Sequence, residues 1–157
     1  MKAVVPGSFD PFTLGHWDVV SRASRLFDQV IVGVGVNIGK QSMFDMDSRV
    51  EMAREAVDEL DNVNVAPMEG LLVDFCACHG AAVVVRGARG GADFEAEWAM
   101  AVMNHSLGRV ETIVLPASPS VSFISSTLVR SVALAGGDVA PYVPHNVSIF
   151  MQRSCNG

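Results

Sequence analysis

A loop suited to phosphate binding follows the first predicted strand. Residues 6–16 read PGSFDPFTLGH and come directly after the β-branched run at residues 2–5. Glycine lets a backbone approach a ligand closely, and the helix predicted to begin at Gly15 and His16 presents free N–H groups and the positive end of its dipole. His16 can donate a hydrogen bond to a phosphate oxygen. From position alone, a surface histidine at a helix start is an equally good interpretation.

Two further segments at predicted strand ends carry donors for anions. Arg86 and Arg89 lie three residues apart in a glycine-rich stretch, and guanidinium groups bind phosphate in a bidentate manner. Residues 125–127 offer three consecutive hydroxyls at a predicted helix start, where an N-cap needs only one. The competing interpretations are two solvated loop arginines, and an ordinary serine cap followed by an exposed Arg130.

Alternating strand and helix patterns place these segments at one edge of a parallel sheet. Strands are predicted at residues 2–5, 29–37, 63–67, 81–86 and 110–115. Helices are predicted at residues 15–27, 47–60, 71–79, 93–107, 125–135 and, as a short final helix, 146–152. The pattern predicts an α/β fold, a Rossmann-like doubly wound sheet of five parallel strands with helices on both faces. Such sheets bind ligands outside the carboxyl ends of their strands.

Length and composition indicate one globular domain. The chain has 157 residues, of which 50% are hydrophobic and 18% charged, so a disordered chain is excluded. A single domain over residues 1–157 is therefore predicted. No apolar stretch approaches the ~20 residues of a membrane span. Three cysteines, an odd and small number, fit a reducing compartment and predict a cytoplasmic protein.

The acidic character is concentrated in one segment. The net charge of −6 argues against nucleic acid and against an anionic membrane surface as partners. Residues 45–61 hold seven acidic and two basic side chains, whereas the rest of the chain holds ten acidic and nine basic ones. The charge therefore belongs largely to one predicted helix face in solvent. It does not argue against an anionic ligand such as ATP.

Two other clusters have structural interpretations. The stretch CACH at residues 76–79 has no second ligand cluster with zinc spacing, so a helix end that buries small thiols is preferred to a metal site. Trp98, Met100 and Met103 on the helix at 93–107 could line a subunit contact. Core packing is the preferred interpretation for these three, and for the methionines in general.

Two motifs in order resemble those of one superfamily. The sequence TLGH at residues 13–16 resembles the T/HxGH motif of the nucleotidyltransferases, a superfamily that includes class I aminoacyl-tRNA synthetases, and ISSTLVR at residues 124–130 resembles its ISSTxxR motif. Over nearly its whole length the chain is similar to the bacterial phosphopantetheine adenylyltransferase family. The segments that agree are PGSFDP at 6–11, MF at 43–44, RGAR at 86–89, DFEAE at 93–97, MN at 103–104 and GDV at 137–139.

This resemblance implies transfer of the adenylyl group of ATP to 4′-phosphopantetheine, giving dephospho-coenzyme A and pyrophosphate, the penultimate step of coenzyme A biosynthesis. It implies catalytic roles for His16, Lys40 and Arg86. It implies that 4′-phosphopantetheine is held by Ser8, Lys40, Leu72 and Arg86. It implies that ATP is held by Ser8, Phe9, His16, Gly87, Ala88, Arg89, Glu97, Val121, Ser122, Phe123, Ile124, Ser125, Ser126 and Thr127.

The resemblance also implies magnesium held mainly by the ATP phosphates without a set of protein ligands, a homohexamer, and feedback inhibition by coenzyme A. Ala88 and Ala96 replace a leucine and a tyrosine that are common in the family, which would loosen the nucleotide pocket.

Three alternatives stay open at this point. The first is another small adenylyl- or cytidylyltransferase of the superfamily, acting on nicotinamide mononucleotide or glycerol 3-phosphate. The second is a non-catalytic nucleotide-binding regulatory module, which the joint presence of His16, Lys40 and Arg86 disfavours. The third is a fragment of a tRNA synthetase, which the absence of a basic surface disfavours. Lys40 together with residues 43–44 and 86–89 favours phosphopantetheine as the acceptor.

Overall fold

Five parallel strands form one sheet in the computed structural model, which describes residues 1–36, 39 and 41–155. The strands are β1 (Lys2–Gly7), β2 (Gln29–Val34), β3 (Val63–Pro67), β4 (Val83–Ala88) and β5 (Glu111–Pro116). Their order is β3-β2-β1-β4-β5. The predicted α/β class and the five-stranded parallel sheet are confirmed. Because the chain builds outward from β1 in both directions, the switch point at which such sheets bind ligands lies between β1 and β4.

Six α-helices connect or flank the strands in the described part of the chain. They are α1 (Leu14–Leu26), α2 (Met46–Ala56), α3 (Leu72–His79), α4 (Gly91–Gly108), α5 (Ser126–Leu134) and α6 (His145–Cys155). A 3₁₀ turn at Ala140–Tyr142, which the sequence pattern did not predict, precedes α6. The predicted end of α2 at residue 60 is wrong. The helix ends at Ala56. Beyond it, the N–H groups of Leu60 and Val63 donate to the carbonyls of Val57 and Leu60, in turns that lead into β3.

The core consists of two apolar layers, one on each face of the sheet. Along β1, Ala3 and Val5 point into the first layer and Val4 into the second, as alternation along a strand requires. The first layer is covered by α1, α2, α5 and α6, the second by α3 and α4. Because strands buried on both faces need apolar side chains at every position, the valine-rich sequences of β2 and β4 follow.

Helix α4 contradicts the predicted core packing. Only Asn104 is buried among its 18 residues, and Trp98, Met100 and Met103 are 64%, 54% and 56% exposed. Near its end α4 lies against α3 so closely that a Cβ at Gly108 would lie 2.7 Å from Val73. Helix α4 also lies beside β4 and β5 in the described chain, yet these contacts leave the three side chains more than half exposed. Core filling by methionine holds for Met52 and Met151, which are buried.

No helix in the described chain combines the length and the hydrophobicity that crossing a bilayer requires.

Candidate active site

Two cavities lie at the carboxyl edge of the sheet and share one wall. The first, of about 320 Å³, lies between the loop after β1, the end of β4 and the starts of α1 and α5. The second, of about 640 Å³, lies between the ends of β1 and β2, the start of α3 and the face of α4. We call them the polar cavity and the apolar cavity. Their shared wall consists of Pro6, Gly7, Ser8, Arg86 and Glu97.

The start of α1 fixes the ring of His16 on the wall of the polar cavity. Thr13 is the N-cap, and its side chain accepts from the His16 N–H while the histidine side chain bonds back to the Thr13 backbone. The Thr13 N–H lies 3.0 Å from Nδ1 of His16, so Nδ1 is an acceptor. In the neutral ring the proton must therefore lie on Nε2. The rings of Phe9 and Phe12 pack against the imidazole at 4.9 and 5.5 Å between centroids.

The surroundings of His16 keep its ring neutral. Its pKa is lowered to about 4, first because burial disfavours the charged form and then because the positive charges of Arg86 and Arg89 repel a proton. Near neutral pH the ring is thus a hydrogen-bond donor, through Nε2, that carries no charge of its own. The interpretation of His16 as an ordinary surface histidine is wrong, since the side chain forms part of the cavity wall.

Arg86 stands in the wall between the two cavities. Its Nε and Nη2 donate to the Glu97 carboxylate at 2.8 and 2.7 Å, and its Nη1 donates to the carbonyl of Pro6. A guanidinium group has five N–H donors, so two remain for a ligand. Because these contacts fix its plane, Arg86 is not the solvated loop residue of the alternative interpretation.

Arg89 lies on the polar cavity and has a carboxylate partner of its own. Its Nε and Nη2 donate to Asp93 at 2.8 and 3.2 Å, and its backbone N–H donates to the same carboxylate. The side-chain hydrogen bond from Arg89 is the main cause that lowers the pKa of Asp93. Arg89 is nevertheless 44% exposed, so a phosphate could reach it without displacing other protein groups.

The three hydroxyls at the start of α5 all have partners within the chain. Ser125 is the N-cap and accepts from the Leu128 N–H at 3.1 Å. Ser126 donates to the carbonyl of Pro11 at 2.9 Å, which joins α5 to the loop after β1. Thr127 accepts from Arg130, whose Nη1 also donates to the carbonyl of Asp10 at 2.6 Å. The interpretation of Arg130 as simply exposed is therefore wrong.

Long apolar side chains of methionine and leucine line the apolar cavity. Met68, Leu71 and Leu72 lie on one side, and Met100 and Met103 of α4 lie on the other. Asn104 and Thr112 add polar groups. A ligand with a charged head at Arg86 and a long, mainly uncharged arm would fit this shape.

The cavities bring together most of the predicted site residues. Those on the polar cavity are Ser8, Phe9, His16, Arg86, Gly87, Arg89, Glu97, Val121, Ile124, Ser125, Ser126 and Thr127, and Leu72 lies on the apolar cavity. Three predicted ATP-binding residues line neither cavity, namely Ala88, Ser122 and Phe123. Ala88 is buried and Ala96 is exposed. Neither residue lines the polar cavity, so the structure does not support the expectation that they loosen it. Lys40 lies outside the described residues.

The sequence did not indicate two buried residues whose hydrogen bonds to the backbone hold the loops of the site in place. The buried carboxylate of Asp10 accepts from the N–H groups of Met43 and Phe44 at 2.8 and 2.9 Å. Arg49, also buried, donates to three backbone carbonyls. An aspartate between a phenylalanine and a proline was a weak signal for the first. There was none for Arg49, because it stands among the acidic residues of a helix whose charged face the pattern predicts to lie in solvent.

Comparison with known proteins agrees with this geometry. Residues 4–132 match the profile of the cytidylyltransferase-like family. The chain is 49% identical over 153 residues to the phosphopantetheine adenylyltransferase of Cutibacterium acnes, with 98% of each chain covered. It is 48% identical over 158 residues to that of Methylococcus capsulatus, covering all of this chain and 98% of the relative.

Solved structures agree in fold. A Vibrio parahaemolyticus protein provisionally described as a nicotinate-nucleotide adenylyltransferase superposes with a TM-score of 0.75 at 22% identity, covering 98% of this chain and 93% of that one. The fold and the family match define the chain as a nucleotidyltransferase. Within that class, the chain belongs to the phosphopantetheine adenylyltransferase family.

Proposed function

We propose that the protein transfers the adenylyl group of ATP to 4′-phosphopantetheine, giving dephospho-coenzyme A and pyrophosphate. The observation that carries the proposal is the meeting of a polar and an apolar cavity at Arg86. A triphosphate suits the donors of the first cavity, and a phosphate with a long uncharged arm suits the second. The names of relatives that are nearly half identical over their full length support this acceptor.

The reaction joins two groups that the shared wall would hold close together. An oxygen of the acceptor phosphate forms a bond to the α-phosphorus of ATP, and the bond from that phosphorus to the bridging oxygen breaks. Pyrophosphate leaves with the electron pair. The attacking oxygen is already ionised, so no protein base is needed, and catalysis rests on positioning and on stabilising charge at the α-phosphate.

The residues at the shared wall have distinct roles in this step. The neutral His16 ring would donate through Nε2 to an oxygen of the α-phosphate, where negative charge shifts in the transition state. Arg86 would hold the acceptor phosphate with its two remaining donors. Arg89 and the start of α5 would bind the β- and γ-phosphates, since a helix N-terminus favours anions. A catalytic contact from Lys40 remains a prediction.

Magnesium would be held mainly by the phosphates of ATP. In the described ranges, no three His, Cys, Asp or Glu side chains cluster so as to hold a metal ion. The cavity carboxylates of Glu97 and Asp93 are paired with arginines. Mg²⁺ keeps phosphate and water ligands in many nucleotide sites, so it would need few ligands from this chain. Bound in that way, the ion would neutralise charge on the leaving pyrophosphate.

Three further expectations belong to the same proposal. Coenzyme A contains the dephospho-coenzyme A skeleton, so it would occupy both cavities and act as a feedback inhibitor. A homohexamer would cover the exposed apolar face of α4, where Phe94, Trp98 and Val102 line a groove with Val114 of β5. The small number of cysteines supports a cytoplasmic location.

One assay tests the acceptor directly. Pyrophosphate release is measured with ATP and Mg²⁺ and with 4′-phosphopantetheine, nicotinamide mononucleotide, glycerol 3-phosphate or no acceptor. We expect release with 4′-phosphopantetheine alone, together with dephospho-coenzyme A as the second product. Release only with another acceptor would identify a different transferase of the superfamily. No release with any acceptor, at ATP concentrations that saturate binding, would indicate a nucleotide-binding module without turnover.

A further inference from the structure

A buried arginine behind the shared wall has no part in the proposed chemistry. Arg49 lies on α2 and is 2% exposed. Its Nη1 donates to the carbonyls of Ser8 and Gly35, each at 2.7 Å. Its Nε donates to the carbonyl of Phe44 at 3.1 Å. One guanidinium group therefore joins the loop after β1, the end of β2 and the segment that leads into α2.

The partners of this cation are unusual. All three are neutral carbonyl oxygens, and within the described residues no carboxylate lies at salt-bridge distance from Arg49. Removing a cation from water is costly even with good hydrogen bonds, and an apolar side chain of similar volume often stabilises a fold as well or better. Stability alone is thus a weak reason for an arginine here, and its geometry is the stronger one.

Hydrogen bonds hold the segment at residues 43–44 from two sides. Its N–H groups donate to the buried Asp10 carboxylate, and the Phe44 carbonyl accepts from Arg49. Asp10 is in turn held by Arg130 on α5. Ser8 and Asp10 belong to the same loop after β1, so the contacts of Arg49 and of Asp10 hold the first part of that loop on either side of Phe9. Phe9, which lies between them, has a φ of 47° and packs against His16.

We propose that Arg49 is a positioning residue for adenylyl transfer, an inference that rests on the proposed function. Its guanidinium sets the backbone at Ser8, and through the adjoining Phe9 it sets the relation between the shared wall and the His16 ring. Lysine cannot reproduce this arrangement, because its single nitrogen cannot present the Nε and Nη1 donors of the guanidinium fork together. The arginine acts through the backbone and touches no substrate.

Two variants test the role. Arg49→Met removes the charge and all three hydrogen bonds, and Arg49→Lys keeps the charge while losing at least the bond to Phe44. We expect kcat to fall at least thirtyfold in Arg49→Met and about three- to tenfold in Arg49→Lys, because small misplacements of reacting groups are costly. Both are assayed well below the midpoint of thermal unfolding of the variant.

Asn62→Ala is the matched control for a merely structural loss. The Asn62 side chain also donates to backbone carbonyls, those of Ser24 and Phe27, but it lies at the amino edge of the sheet. We expect this variant to lose stability and to keep kcat within twofold of the wild type. A folded Arg49→Met enzyme that also keeps kcat within twofold would overturn the proposal. If Arg49→Met does not fold, a kcat within twofold in Arg49→Lys would overturn it equally.

A binding measurement separates this proposal from the identity of the acceptor. Phe9 and Ser8 line the polar cavity, so displacing their backbone should weaken ATP binding at least fivefold in Arg49→Met, with Asn62→Ala unchanged. ATP affinity is measured by calorimetry without any acceptor. If the wild type binds ATP but releases no pyrophosphate with 4′-phosphopantetheine, the proposed acceptor is refuted. The effect of Arg49→Met on ATP binding still tests the positioning role in that case. Unaltered ATP affinity and unaltered turnover in both arginine variants refute the positioning role alone.

Discussion

The polar and the apolar cavity differ in how their walls are held. Around the polar cavity, hydrogen bonds fix the side chains: Thr13 holds His16, and Asp93 accepts from Nε and Nη2 of Arg89 at 2.8 and 3.2 Å. Around the apolar cavity, the side chains of Leu71, Met100 and Met103 are more than half exposed and carry no hydrogen-bond donor that could fix their orientation. One wall is fixed by direction-dependent contacts, and the other is adaptable.

This difference matches what each half must do. Stabilising charge at a reacting phosphate requires donors placed within a few tenths of an ångström, so the groups that touch it need rotamers locked by neighbours. Binding an uncharged arm requires only that nonpolar area leave water, which has no preferred direction. Unbranched methionine side chains can fill such a space in several conformations. Changes to the polar cavity should therefore have larger effects than changes of similar size to the apolar one.

The largest effect is expected from removing the imidazole. His16→Ala should lower kcat roughly 10²- to 10³-fold, the range seen when one donor to a developing charge is lost. ATP affinity should change by less than about threefold, because the contact strengthens mainly in the transition state. Steady-state kinetics give the first quantity, and calorimetry with ATP gives the second.

His145→Ala is the control for this substitution. His145 is exposed at the start of α6 and lies outside both cavities, so its replacement should leave kcat within twofold. Turnover of His16→Ala close to that of the wild type, with ATP bound ten times more weakly, would mean that the histidine binds ATP in the ground state and is not catalytic.

Acid should probe the same ring through stability. The pKa of His16 is about 4 in the folded chain against 6.5 for the ordinary side chain. Between these values the unfolded state binds a proton that the folded state does not, so the free energy of unfolding falls as pH is lowered from about 6.5 to about 4. The loss should reach about 2–3 kcal/mol between pH 7 and pH 4.5. Urea unfolding at a series of pH values measures it.

The variant His16→Gln isolates that contribution. Glutamine does not titrate, so the loss between pH 7 and pH 4.5 should shrink by most of those 2–3 kcal/mol. The lowered pKa values of Asp18 and Asp93 act in the same direction but mainly below about pH 4, outside this window. An equal loss in wild type and variant would show that His16 is protonated in the folded chain, and the neutral-donor role would be withdrawn.

The sequence predicted the polar cavity better than the apolar one, for a physical reason. The capping box joins Thr13 to His16, three residues later, and the Ser125 cap is equally local. Residue type and spacing along the sequence can therefore indicate both. In contrast, Arg49 donates to carbonyls that lie 14 and 41 residues away, and Arg130 donates to one that lies 120 residues away. A local pattern cannot indicate which distant carbonyl a buried guanidinium will meet.

The face of α4 shows the same limit from the other side. Phe94 and Trp98 stand at helical spacing, a pattern that a buried stripe and an uncovered stripe share. Whether such a stripe is buried depends on which elements reach it, and β5 is the edge strand of the sheet. The pairing of Arg86 with Glu97 falls between these cases. The contact joins β4 to α4 across 11 residues. The sequence predicted both residues as part of the site but not that they bind each other.

The smallest effect is expected in the apolar cavity. Leu72→Ala removes part of its wall, and full loss of the buried side chain would cost about 1.5–3 kcal/mol of binding. Because Met68 and Leu71 can move into the space, the KM for 4′-phosphopantetheine should rise only about three- to tenfold, with kcat and the KM for ATP within twofold. Leu134→Ala, at a side chain that is 77% exposed and lines neither cavity, is the matched control. A loss of kcat in Leu72→Ala as large as in His16→Ala would show that the apolar wall is as rigidly required as the polar one, and the distinction between the two cavities would fail.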